Sequence, residues 1–261
     1  MSHGFESRTY PEMLAGGFSR VDGTIQFYTR VNALLSENMV AMDFGSGRGG
    51  WYTDEKLPYR RSLRNLKGKV RRVIGVDVDP AVSENPSIDE AVVFDGSHIP
   101  LIDASVDIII ADHVFEHLPD PANTAAELDR ILAPGGWICV RTPNKFGYVA
   151  LVNQLLPENA KSAILHFAQP GRKYEDVFEA HYRLNTRSAL RRHFSGYEIA
   201  LHSWEAEPAY HAGKAAIFHL VRAWSSLVPS GMSTALFAFM RKSQVVTPQP
   251  GVLDEGKRRD R

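Results

Sequence analysis

Ala41-Met42-Asp43-Phe44-Gly45-Ser46-Gly47-Arg48-Gly49-Gly50 decides the reading of this 261-residue chain. A short apolar run stops at an acidic residue, and glycines follow at every second position. Such a run reads as a buried strand ending in a tight loop. Glycine lets the backbone turn sharply and lie against a ligand, whose space a side chain at Gly45 or Gly47 would take. A second acidic strand end, Val76-Asp77, comes 32 positions after Gly45. The pair points to a nucleoside-bearing cofactor held across the end of a parallel sheet.

Outward from this loop the chain alternates regularly. Strands are expected at 39–44, 72–77, 90–94, 106–111 and 137–141. The runs around Val73-Ile74, Val92-Val93 and Ile108-Ile109-Ile110 are β-branched and apolar, as in strands covered on both faces by helices. An amphipathic helix is expected over 24–37, with Ile25, Tyr28, Val31, Leu34 and Leu35 near one face. A second, over 121–132, carries Leu128, Ile131 and Leu132 and stops at a Pro134-Gly135-Gly136 turn. This rhythm belongs to a doubly wound α/β sheet, which binds ligands beyond the carboxyl ends of its strands.

Three stretches depart from the rhythm. Residues 51–72 hold eight basic side chains against Asp54 and Glu55. They read as a solvated helix and turn, with an RNA surface as the alternative, and aromatics beyond Tyr59 do not interleave with them. Residues 145–185 place Phe146, Tyr148, Phe167, Tyr174, Phe178 and Tyr182 among polar residues, as in a cap inserted over the sheet. Strands then return at 196–203 and 233–240. Between them a helix over 214–227 carries Ile217, Leu220, Val221 and Trp224; packing on the sheet is favoured over membrane contact. From 243, Pro248, Pro250, Gly251 and Gly256 suggest a disordered tail. The chain thus reads as one domain over 1–242, with a leading helix and a cap, followed by a tail over 243–261.

Thirty basic and thirty acidic side chains cancel, so no global field draws the protein to nucleic acid or lipid. The single cysteine, Cys139, lies in an apolar run and reads as buried. The first residues lack a basic flank leading into an apolar core, and no apolar run approaches the ~18 residues of a membrane span. A cytoplasmic protein without integral membrane contact is the expectation; oligomeric state is left open.

A glycine loop alone does not name its ligand. A dinucleotide site wants its ribose acid ~20 residues after the loop, whereas Asp77 stands further on. No lysine followed by serine or threonine trails the glycines as in a triphosphate cradle. The acids say more. Asp43, Asp77, Asp95 and Asp112 each close or follow a strand, so all four should line one edge of the sheet. Carboxylates there repel a pyrophosphate and suit an ammonium group, ribose hydroxyls and an adenine amine. Asp77 has two acceptor oxygens for two vicinal hydroxyls. Taken singly, each acid could also simply cap the helix after its strand.

On these residues the chain resembles the class I S-adenosylmethionine-dependent methyltransferases, particularly the small-molecule branch, over roughly residues 38 to 143. Asp43-Phe44-Gly45-Ser46-Gly47-Arg48-Gly49 is similar to the first motif, whose backbone holds the methionine part. Val76-Asp77-Val78-Asp79 is similar to the ribose-binding strand end, and Phe94-Asp95-Gly96 to the adenine-binding segment. The stretch 106–117, with Asp112, resembles the fourth strand and its substrate-facing exit. Leu132-Ala133-Pro134-Gly135-Gly136 resembles the turn before the fifth strand. The resemblance implies S-adenosyl-L-methionine as cofactor and a Rossmann-like, seven-stranded, mostly parallel sheet with helices on both faces and an antiparallel last strand.

Methyl transfer from a sulfonium is an in-line displacement in which positioning supplies most of the rate. A base is needed only where the acceptor still carries a proton, as an alcohol does. His113 and His117 are the candidates, with Glu116 between them; His117 could equally cap or pack. Their spacing lacks the order of a zinc helix, and no metal is expected. Asn144 and Tyr148 follow the fifth strand and could orient an acceptor, although Asn144 could equally be a local cap. His181, Tyr182 and Arg183 lie in the supposed cap, where Arg183 suits a carboxylate or phosphate. The expected activity is methyl transfer to a small-molecule or sugar-containing acceptor, at oxygen. A nicotinamide-dependent oxidoreductase and a non-catalytic binding protein of the same fold are the alternatives.

Overall fold

The computed structural model describes residues 4–155, 179–208 and 211–244. Within them run α1 (Gly4–Thr9), α2 (Gly23–Leu34), β1 (Val40–Phe44), α3 (Gly50–Asp54), α4 (Pro58–Arg64), β2 (Arg72–Asp77), β3 (Glu90–Val93), β4 (Val106–Asp112), α5 (Pro121–Ile131), β5 (Leu132–Pro143), α6 (Tyr148–Leu155), α7 (Arg187–His193), β6 (Tyr197–Trp204), α8 (Ala215–Leu227) and β7 (Ala235–Lys242). The seven strands form one sheet in the order β3-β2-β1-β4-β5-β7-β6. Pairing is parallel from β3 across to β5, and β7 runs antiparallel to both β5 and β6. Chain direction across the sheet reverses between β1 and β4, which puts the ligand crevice of such folds above that pair.

Alternation along the strands sorts the core into two layers, because successive side chains point to opposite faces. Met42, Ile74, Ile109, Ile138, Val140, Leu236 and Ala238 belong to one cluster with Leu128, Ile131, Leu190 and Phe194 of α5, α7 and the residue after it. Their neighbours Ala41, Val73, Ile108, Ile110, Cys139, Phe237 and Phe239 belong to the other, with Phe27, Tyr28 and Val31 of α2. Local signals start the covering helices. Asp22 accepts from the amides of Thr24 and Ile25 to cap α2, and Asp120 caps α5 ahead of Pro121.

Two expectations are corrected and a third is met only in part. The Pro134-Gly135-Gly136 turn lies inside β5, which starts at Leu132. Val106 pairs with Leu132 and Ile108 with Trp137, so the extra residues form an irregularity in the ladder with Gly135 at φ 78°. The basic interval is solvated only in part: Lys56, Lys67, Arg71 and Arg72 are exposed, whereas Arg60, Arg61, Arg64 and Lys69 are partly buried. Arg60 pairs with Asp22 and with Glu55 at 3.2 Å, and Lys69 donates to Asn32 at 2.7 Å. Lys67 reaches the Ile88 carbonyl at 2.8 Å and Arg72 reaches Glu90 at 3.1 Å. Arg60 and Lys69 thus tie the α4 region to α2 and its cap, and Arg72 joins β2 to β3. Finally, α8 does not pack on the sheet. Phe27, Trp204 and Phe237 already fill that face, and the one buried side chain of α8, Phe218, meets Phe5, Tyr10 and His211 instead. Of the expected cap, 156–178 lie outside the described residues, as do 245–261 of the expected tail.

Candidate active site

The glycine loop leaves β1 with Gly45, Gly47 and Gly49 all in the left-handed region, at φ 73°, 50° and 69°. They are glycines for different reasons. A Cβ at Gly45 would lie 2.4 Å from Val114 in the loop after β4, and one at Gly49 would lie 2.2 Å from the Asn85 side chain. Both make room for protein, contrary to the expectation for Gly45. A Cβ at Gly47 would meet nothing within 4 Å, so only there does the loop border open space.

Asp77, buried at the end of β2, organises this loop. Its Oδ2 accepts from the Gly47 amide at 2.8 Å and its Oδ1 from the Asp79 amide at 2.9 Å. A carboxylate offers about four lone-pair positions, so each oxygen keeps acceptor capacity beyond its protein bond. The loop's other clamp is Asn85, which the sequence reading missed. Its amide donates to the Ser46 carbonyl at 3.1 Å, the Ser46 hydroxyl at 2.9 Å and the Gly47 carbonyl at 3.1 Å, while its oxygen accepts from Ser87. In sequence Asn85-Pro86 signals only a turn; nothing local marks the contact 38 residues back.

Asp43 accepts from the Ser46 hydroxyl at 2.8 Å. Desolvation pushes its carboxyl up to about 6, with Ser46 and Arg64 pulling the other way. Beside it Arg64 stacks over Trp51 at 4.5 Å and Tyr28 at 5.5 Å. Its Nη2 stands 3.5 Å from Asp112, and its buried Nε has no hydrogen-bond partner. Arg64 thus brings unused donors to the crevice, although the sequence offered it only as one cation among eight. A cavity of about 10 Å³, the size of one water, lies among Tyr28, Asp43, Trp51 and Arg64.

Asp112 sits one strand away and is spent on protein. Arg141 grips it with Nε at 2.5 Å and Nη2 at 2.7 Å, and Tyr28 donates at 3.1 Å. Burial alone would raise its carboxyl, but the Arg141 guanidinium overrides this and holds it well below the carboxylate range. The expectation that Asp112 meets a cofactor is corrected accordingly: its oxygens face a buried arginine. Asp95 is exposed, and Oδ1 gathers the His98 amide and the Ser97 amide and hydroxyl, which together lower its carboxyl to about 2. Gly96, at φ 86°, lies 3.8 Å by its Cβ direction from Val78, whose side chain is exposed beside Asp77.

Beyond β4 the chain turns through His113, a non-glycine residue at φ 60°, whose amide is held by the Arg141 carbonyl at 2.8 Å. Its ring is half exposed. Nδ1 lies 3.4 Å from Glu116 Oε1, and Nε2 lies 3.9 Å from Asp112. Glu116 is buried and therefore sits beneath the histidine, not at an acceptor surface as expected. Thr142 donates to its other oxygen at 2.9 Å, and Asn185 donates to Thr142 at 2.6 Å. Burial would raise the Glu116 carboxyl, yet the bond to His113 and the charges of His113 and His117 leave it lowered. His117 Nδ1 contacts the Glu179 carbonyl at 2.8 Å, which ties it to the returning chain.

The remaining candidates divide. The amides of His181 and Tyr182 both donate to the Glu116 carbonyl, at 2.7 and 3.1 Å, so this segment is brought to the β4 exit. Tyr182 is itself buried, at φ 51°, and exposed Arg183 is tied to the Pro119 carbonyl. Asn144 is buried and fully used. Its amide donates to the carbonyls of Gly231 and Ser233, and its oxygen accepts from Phe146, so it is the local brace and not an acceptor contact. Tyr148 opens α6, partly buried. Among the described residues no group of three or more His, Cys, Asp or Glu is arranged to hold a metal ion. A second cavity, about 280 Å³ among Glu198, Arg241, Lys242, Ser243 and Gln244, lies at the opposite edge of the sheet, away from the strand ends that bind ligands in such folds.

A loop glycine facing open space, an acid with spare acceptors and a second, desolvated acid suit a ligand that pairs hydroxyls with a positive charge. The family described as a methyltransferase domain matches residues 20–203. This chain belongs to the class I S-adenosylmethionine-dependent methyltransferases. A Mycolicibacterium smegmatis protein described as a probable S-adenosylmethionine-dependent methyltransferase is 40% identical over 85 residues, 30% of this chain and 32% of that one. A Mycobacterium tuberculosis relative, similarly described, is 36% identical over 83 residues, 30% of each. The matches thus span about a third of these relatives' lengths. Among solved structures, the YcgJ protein of Bacillus subtilis has a TM-score of 0.51 at 14% identity, covering 84% of this chain and 99% of that one. A Mesorhizobium loti S-adenosylmethionine-dependent methyltransferase has 0.50 at 15%, covering 85% and 100%. At these identities the structures speak for the methyltransferase fold alone.

Proposed function

We propose that this methyltransferase acts on a hydroxyl oxygen of a small-molecule or sugar-containing acceptor, with His113 as proton acceptor. The observation that carries the reading is the pairing of His113 with buried Glu116 at the mouth of β4. A carboxylate at Nδ1 favours the tautomer with its proton there, leaving Nε2 to take a proton. Glu116 then stabilises the imidazolium, and Thr142 and Asn185 fix Glu116. Such an arrangement serves an alcohol; a carboxylate acceptor would have no use for it.

The cofactor, when bound, supplies a methyl group on a positively charged sulfur. For its binding we assign the ribose hydroxyls to Asp77, the ammonium to Asp43 and the methionyl carboxylate to the unused donors of Arg64. Val78 and Gly96 would flank the adenine, with Asp95 toward its amine. Gly45 and Gly49 keep the loop in shape, Gly47 leaves it open, and His181 and Tyr148 border the acceptor side.

The test is transfer of labelled methyl from S-adenosylmethionine to a panel of hydroxylated small molecules and sugars. Methylated hydroxyl products that disappear with His113→Ala support the reading. Product confined to amines or carboxylates, or full activity in that variant, overturns it.

A further inference from the structure

Three unfavourable features gather around Glu116. His113 and Tyr182 are two of the four non-glycine residues with a left-handed backbone among the described residues, at φ 60° and 51°. Asn185 is fully buried, and its side-chain oxygen has no hydrogen-bond partner. Stability alone would not keep such features together; where they cluster, the surroundings hold them for a function.

The hydrogen bonds here run in one direction. The Pro143 carbonyl can only accept, so the Asn185 amide turns Nδ2 toward it, at 3.0 Å. The same Nδ2 donates to Thr142 Oγ1 at 2.6 Å. Thr142 is fully buried, and its own hydroxyl proton goes to Glu116 Oε2 at 2.9 Å. That oxygen is thereby committed. Oε1 faces His113 Nδ1 at 3.4 Å, while His117 Nε2 stands 4.0 Å off, beyond hydrogen-bond reach. An ionised carboxylate has no proton to give, so the proton between Oε1 and Nδ1 belongs to the ring. The chain around Asn185 is anchored to match. The Lys145 amide donates to the Asn185 carbonyl at 2.9 Å, and the amides of His181 and Tyr182 hold the Glu116 carbonyl. The returning chain therefore grips Glu116 by its backbone and, through Thr142, by its side chain.

We infer that Asn185 is a positioning residue that fixes the proton of neutral His113 on Nδ1, acting through Thr142 and Glu116. With His113 as the proton acceptor proposed above, on which this role rests, Nε2 is kept free for the proton of the acceptor hydroxyl. Such a role accounts for the unpaired oxygen. A carboxylate in its place could not donate, and an apolar side chain would leave the Thr142 hydroxyl without the donor that aims it.

Nitrogen NMR of the full chain, labelled in its histidines, tests this in alkaline buffer, where the neutral ring shows which nitrogen carries the proton. His113→Gln assigns the signal. We expect Nδ1–H in the parent and in Thr142→Ser, which keeps the hydroxyl, and a shift toward Nε2–H in Asn185→Leu and Thr142→Val. Unchanged signals of His98 and His202 are the check on folding; should Asn185→Leu not fold, Thr142→Val, which keeps the shape, decides. On a hydroxyl acceptor, Asn185→Leu should lower kcat about tenfold with KM near that of the parent. Nε2–H in the parent overturns the proposal, as does Nδ1–H in every variant. The tautomer is read without turnover, so failure of the proton-acceptor role, seen as full activity in His113→Ala, shows separately.

Discussion

Asp43 and Asp112 stand at the ends of adjacent parallel strands, yet their surroundings set them apart. On the β1 side, desolvation raises the acid to about 6, with Ser46 as its bonded partner. On the β4 side, Arg141, Tyr28 and Arg64 converge on the acid and hold it ionised. Equal positions in a sheet therefore do not give equal roles. One acid is left with charge to offer a ligand; the other is consumed in joining α2, β4 and β5.

The comparison can be broken most severely on its structural side. Arg141→Met takes from buried Asp112 its bidentate partner, leaving Tyr28 and the more distant Arg64, and should destabilise the protein by about 3 kcal/mol in urea unfolding, with Asp112→Asn in the same chain recovering much of it. A small effect would mean that Asp112 is not spent on Arg141. Next in size, His113→Ala should lower kcat about 10²- to 10³-fold on any hydroxyl acceptor while leaving calorimetric affinity for S-adenosylhomocysteine near that of the parent. On the ligand side, Asp77→Ala should weaken that affinity about 10- to 100-fold, because the hydroxyl contacts and the anchor of the Gly47 amide go together. Undiminished binding would place the cofactor elsewhere.

The finest test is of Asp43 itself. Its folded pKa lies above the ordinary value, so the favourable protonated form is present at low pH and its contribution to stability is lost as pH rises through about 6. Cofactor binding should run the opposite way: an ammonium ligand needs the ionised acid, so affinity should fall severalfold as pH drops through about 6. Asp43→Asn should flatten that dependence.

The sheet was legible because its strands carry their own signature. Val73-Ile74 and Ile108-Ile109-Ile110 are apolar at successive positions only because both faces are covered. Gly47 and Asp77 were legible for a related reason: a strand end followed by a glycine turn is local. Asn85, Thr142 and Asn185 were not, since each is polar and buried only by contacts with distant segments. Arg141 and Arg64 look in sequence like ordinary cations, and their meaning comes from Asp112, 29 and 48 residues away. For α8, periodicity announced an apolar arc but could not say which part of it the sheet, already filled by Phe27 and Trp204, would refuse.

The Asn85 side chain has one more effect. With three donor contacts pinning Ser46 and Gly47, and Asp77 holding the Gly47 amide, the loop is frozen into shape during folding. On the cofactor assignment proposed above, an arriving nucleoside then finds a rigid seat and loses little affinity to ordering the chain around it. Replacing that one amide would turn a lock-and-key encounter into one in which the guest must first assemble its own berth.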